Sequence, residues 1–97
     1  MYGSIVTWQF TSGTYDQVSG EIRERFVPAL TQQPGFRSLS IIKTGEDAVT
    51  SIIVYDSQEH AESSFPLMAA MVRERIGSQI AGMQRSAGEV VAEERAS

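Results

Sequence analysis

The run Thr50-Ser-Ile-Ile-Val-Tyr55 constrains this chain more than any other stretch of its 97 residues, because it is apolar on two sides at once. Along a strand, successive side chains point to opposite faces. Ile53 and Tyr55 therefore go one way, and Ile52 and Val54 the other. The segment Ser4–Phe10 repeats the theme, setting Val6, Trp8 and Phe10 against Ile5. From Phe36 to Lys43 the alternation is imperfect, with Leu39 and Ile41 on one side and Phe36 and Ile42 on the other. A one-sided antiparallel sheet carries polar residues on its bare face, so strands that are apolar on both faces ask for two covering layers.

The rest of the chain supplies only one such layer. Tyr15, Val18, Ile22, Phe26, Ala29 and Leu30 fall at steps that place them on one helical stripe. Thr14 stands three positions before Gln17, the spacing of a capping box. Gly20 weakens this helix, Pro28 bends its last turns, and Pro34-Gly35 ends it. A second stripe, Ala61, Phe65, Met68, Val72 and Ile76, follows Asp56 or Ser57 as cap, and Pro66 within it predicts a kink or a break. Thr44-Gly-Glu-Asp47 makes a hairpin connection, Gly77 to Gly88 reads as an irregular segment, and Glu89-Val-Val-Ala-Glu93 reads as a last strand. The order is β-α-β-β-α-β, one α+β domain over residues 1–97 with a ferredoxin-like, four-stranded antiparallel sheet and both helices on one face. Two helices cover one face. The simplest cover for the other is a second copy of the same sheet in a two-fold homodimer.

Composition removes several kinds of chemistry. Cys is absent, so thiolate metal sites, disulfides and thiol nucleophiles are excluded. A formal net charge of −4 disfavours a nucleic-acid partner. The third strand also lacks the basic-Gly-aromatic core of an RNA-recognition motif. Neither a membrane span nor a leader is read, and the expected location is cytoplasmic. No Gly-x-Ser-x-Gly elbow and no Gly-rich phosphate loop occurs. Glu59 and Glu62 share a helix face without the further ligands that a metal needs.

Four stretches carry a family likeness: the strand-turn-helix start through Gly13, Gln33-Pro-Gly-Phe36, Val54-Tyr-Asp-Ser-Gln-Glu-His-Ala61 and Gly88-Glu-Val-Val91. On these the chain resembles the antibiotic biosynthesis monooxygenase-like family of the dimeric α+β barrel superfamily, over essentially its whole length. The resemblance implies a sheet-to-sheet dimer in which each protomer holds an apolar or aromatic small molecule between its helices and sheet. It also implies, for some members, oxidation of aromatic polyketide-like substrates by molecular oxygen with no cofactor or metal. Other members open haem using an Asn on the first strand with a Trp and a His on later helices. Here Gln9 stands on that strand, residues 58–76 contain no Trp, and the single His60 falls at the helix start, so the haem-degrading pattern fails.

The candidate site residues follow from chemistry. His60 is the one side chain with an ordinary pKa near neutrality, though a helix-start His is ordinarily solvent-exposed. Tyr55 offers a hydroxyl and Trp8 an N–H on a large ring; both also serve as core. Tyr15, Phe65 and Met68, with Trp8, are candidates for lining a substrate pocket, and Arg73 for holding an acidic group. Arg75 flanks Glu74 as Arg73 does, and Glu21 and Arg25 are spaced for an exposed pair. The reading leaves two functions open: a cofactor-independent monooxygenase-type domain, or a non-catalytic dimeric module that binds a small molecule or serves in stress response.

Overall fold

A computed structural model describes residues 1–96. Strands β1 (Tyr2–Phe10), β2 (Phe36–Gly45), β3 (Ala48–Tyr55) and β4 (Ile80–Glu89) form a single antiparallel sheet in the order β2-β3-β1-β4. Helix α1 covers residues 15–31, and helix α2 is Gln58–Ile76. Both helices pack on one face of the sheet, which is the ferredoxin-like β-α-β-β-α-β arrangement. Val6, Trp8 and Phe10 of β1 and Val49, Ile53 and Tyr55 of β3 meet Val18, Phe26 and Leu30 of α1 and Ala61, Met68, Val72 and Ile76 of α2 in one core. The third-strand alternation is as the sequence implies: Ile53 and Tyr55 are each 2% exposed, whereas Ile52 is 37% exposed on the far side.

Three local expectations are corrected, and a fourth, a kink or a break at Pro66, loses its second alternative. Phe36 does not share a face with Ile42. A register shift between Phe36 and Ser38 turns it toward the helices, where it packs with Leu39 and Ile41 against the core. The last strand is not residues 89–93 but Ile80–Glu89, entered through a single 3₁₀ turn, Gly77–Gln79. The β-branched Val90 and Val91 carry strand composition. Pairing, however, depends on the neighbour, and β1 is matched from Tyr2↔Glu89 to Phe10↔Ile80. Thr14 and Gln17 do not form a capping box. The Thr14 hydroxyl donates to the Thr11 carbonyl at 2.7 Å, and the Asp47 carboxylate accepts from the backbone N–H groups of Gly13 (3.1 Å) and Tyr15 (3.2 Å). Helix α2 is not broken at Pro66 but runs from Gln58 through Ile76, with Ser57 as cap accepting from the His60 N–H.

Helix α1 departs from regular geometry where Pro28 requires it. Pro28 has no N–H to offer four residues back and its ring crowds the preceding turn. The helix answers with a π-helical stretch, Ile22–Phe26, in which the Val27 N–H reaches back five residues to the Ile22 carbonyl. Two α-helical segments, Tyr15–Glu21 and Val27–Thr31, flank it.

Among the described residues, no layer covers the sheet face away from the helices. Ile5 and Ile42 are each 48% exposed there, beside Ile52, half-buried Val54 and a threonine ladder in which Thr50 Oγ1 lies 3.1 Å from Thr7 Oγ1 and 3.2 Å from Thr44 Oγ1. At one end Val90 bends over Gly3, its N–H donating to the Met1 carbonyl at 2.9 Å.

Candidate functional site

The widened turn of α1 stands over the middle of the sheet and leaves space beneath it. Ile22, Phe26 and Leu30 from α1, Met68 and Val72 from α2, and Trp8 from β1 enclose a cavity of about 40 Å³. That volume accommodates roughly one water molecule and no ring system. Its wall is apolar apart from the Trp8 indole and Ser51, whose hydroxyl donates to the Val6 carbonyl at 3.4 Å.

Two surface clefts share wall residues with this cavity. The larger, about 380 Å³, lies between α1 and β2 and shares Ile22, Ile41 and Val49 with the interior wall. Its rim carries Tyr15, Ser19, Arg23 and Lys43. The smaller, about 150 Å³, lies between α1 and α2, shares Leu30 and Met68, and is bordered by Gln33, Ser64 and Leu67. Small-molecule sites ordinarily need several hundred Å³. The α1–β2 cleft together with the interior cavity meets that size, and the interior alone does not.

The residues expected from the sequence are divided by this geometry. Trp8 and Met68 line the interior cavity, and Tyr15 lies at the α1–β2 cleft. Tyr55 is buried beneath α2, its hydroxyl donating to Ser64 Oγ at 2.7 Å. Phe65 sits at the other margin of the helix layer, under the Arg85 guanidinium, which also bonds Ser4 and Glu62. Arg73 is exposed near the end of α2 and borders neither cleft, while its neighbour Arg75 grips the Glu21 carboxylate at 3.2 Å through two nitrogens, beside the expected Glu21–Arg25 pair.

His60 also stands apart from the cavity. It belongs to the first turn of α2, where its ring Nδ1 lies 2.5 Å from Asp56 Oδ1. That hydrogen bond is the largest of the influences that hold the Asp56 carboxyl below its ordinary range. The pair covers Gly35, whose φ of +77° and missing side chain allow the approach. Gln9 is exposed, next to Trp8 in a strand whose alternate positions face the helices, so it points away from the cavity.

Sequence reasoning missed the two cations at the larger cleft. Lys43 continues the alternation of Leu39 and Ile41 onto the helix side, where its ammonium lies 4.2 Å from the centroid of the Tyr15 ring. Arg23 follows Ile22 on the π-helical turn. The period of two along β2 carried the signal for Lys43. Nothing comparable marked Arg23, because its orientation depends on the helix register around Pro28.

No protein-family model matches the sequence, and no curated protein matches it. Solved structures share the fold throughout, at low identity. A protein from Nitrosomonas europaea named "Putative antibiotic biosynthesis monooxygenase" superposes with a TM-score of 0.81 at 12% identity, over 95% of this chain and 100% of its own. A dimeric ferredoxin-like protein from an uncultured marine organism gives 0.76 at 16% identity, over 99% and 100%. The haem-degrader MhuD from Mycobacterium tuberculosis gives 0.74 at 20% identity, over 98% and 100%. The resemblance to antibiotic biosynthesis monooxygenase-like proteins read from the sequence is thus matched at the level of the fold. Among the described residues, no helix is long and apolar enough to cross a membrane.

Proposed function

We propose that this chain works as a two-fold dimer whose protomers each bind an apolar, aromatic or polyketide-like molecule between helix α1 and the sheet. In this reading the bound molecule undergoes oxidation of the cofactor-independent monooxygenase type. The observation that carries the binding part is the apolar cavity under the π-helical turn, which shares Ile22, Ile41 and Val49 with a cleft of about 380 Å³. Trp8 and Met68 would contact the inner end of the ligand and Tyr15 its outer end. The fold likeness to a protein named as an antibiotic biosynthesis monooxygenase supports the oxidative part by analogy. An anthrone-type substrate brings its own reactivity: its enolate gives electrons to oxygen, one oxygen atom enters the ring system, and the other leaves as water. The protein's task is then to hold the substrate, favour its anion and keep bulk water away.

The unlayered sheet face carries the dimer part. Ile5, Ile42 and Ile52 would be buried against the same residues of a second copy, as an isologous interface requires. The structural neighbour named as a dimeric ferredoxin-like protein supports this assembly.

A second reading, a non-catalytic binding module, is favoured by one specific observation. The residues enclosing the inner cavity include no titratable side chain, Tyr55 is bonded to Ser64, and His60 is bonded to Asp56 outside it. Oxygen consumption with anthrone and naphthol substrates separates the two. Uptake that depends on Trp8 and Met68 supports the enzyme; binding of the same compounds without uptake supports the module.

A further inference from the structure

The α1–β2 cleft has a chemical asymmetry that its apolar interior does not explain. In a chain whose net charge is −4, the mouth of this cleft presents two cations, Arg23 and Lys43. Neither enters an ion pair among the described residues, although Arg25, Arg75 and Arg85 all do. The Lys43 ammonium is held over the Tyr15 ring, an attraction that positions a cation without neutralising it. The guanidinium of Arg23 belongs to the π-helical turn that also bears Ile22 and Phe26 of the inner wall. Apolar wall and unpaired cations therefore meet at one opening.

We propose that the mouth of the cleft recognises an acidic oxygen group on the ligand, so that the ligand class is an amphipathic organic anion: an apolar body directed inward toward Ile22 and Val49, and a carboxylate or ionised hydroxyl held between Arg23 and Lys43. The inference rests on the reading of the cleft as the ligand site and adds the charge of what enters it. Two cations converging on one group give charge-assisted hydrogen bonds, which are stronger than neutral ones and set the orientation of the ligand. Their attraction also weakens with added salt, because the mouth is open to solvent.

Calorimetric titration with 2-naphthoate and its uncharged counterpart 2-naphthalenemethanol, at low salt, tests this. The wild-type protein is expected to bind 2-naphthoate at least about tenfold more tightly than the alcohol. In the double variant Arg23→Gln/Lys43→Gln the two affinities should fall within about twofold of each other, because the anion loses both of its charge partners. Both side chains are exposed, so the variant should fold, and circular dichroism checks that it does. Equal affinities in the wild type, or a preference that survives the double substitution, overturns the anionic site and leaves the cleft as a ligand site. Failure of both compounds to bind overturns the site and the cleft reading together.

Discussion

At the scale of single residues, Gly35 shows how one missing side chain organises its surroundings. A Cβ there would lie within 2.5 Å of both Asp56 Oδ1 and His60 Nδ1, and the backbone φ of +77° disfavours any L side chain. Gly35→Ala should therefore destabilise the fold by about 1–3 kcal/mol, read from urea denaturation, with the Asp56–His60 contact displaced. The same pair gives a pH dependence. Because the Asp56 carboxyl is lowered below its ordinary value of 3.8, chiefly by the His60 hydrogen bond, its contribution is present above that pH. It is lost as the pH falls through the lower folded-state value. Asp56→Asn should remove this part of the acid limb of the stability profile, read from urea denaturation at a series of acidic pH values.

At the scale of elements, a carboxylate from the β2–β3 hairpin does what a local cap ordinarily does. Asp47 satisfies N–H groups at the start of α1 from over thirty residues away in sequence. Asp47→Ala should cost about 1 kcal/mol in thermal or urea unfolding, as loss of a helix cap does, and Thr14→Ala should cost less. Such long-range caps are not visible to a spacing rule, which is why Thr14 and Gln17 suggested a capping box that the structure lacks. Strands β1 and β3 were legible because Val6, Trp8 and Phe10, and Ile53 and Tyr55, alternate cleanly. Strand β4 was not: it is an edge strand with Gly82 and Gly88, and few of its residues are apolar and turned inward. The π-helical turn was hidden for a different reason. Pro28 announces a disturbance, but whether a helix bends, ends or widens depends on what packs beneath it. The candidate site follows the same division. Trp8 and Met68 were readable from strand and helix periods, whereas no pattern in the sequence marked Arg23.

At the scale of the whole molecule, the uncovered sheet face is the surface on which the proposed dimer would be tested. Ile52 lies between Ile5 of β1 and Ser40 of β2, near the middle of that face. If the proposed dimer forms through this face, Ile52→Glu should raise its dissociation constant by at least roughly a hundredfold, since it would place a carboxylate from each protomer in a dry interface. Sedimentation velocity reads this directly, and a wild-type protein that is monomeric at micromolar concentration would refute the assembly. The strand order carries a different consequence, for synthesis. Strand β1 lies inside the sheet, yet its partners are β3, about fifty residues later, and β4, whose Glu89 pairs with Tyr2. As the chain leaves the ribosome, Val6, Trp8 and Phe10 emerge before the strands they pair with and stay without those neighbours until β3 and β4 have followed. Folding must then be a late, largely all-or-none event dominated by distant pairings, which slows it. Until that moment the apolar side chains of β1 are in need of shelter.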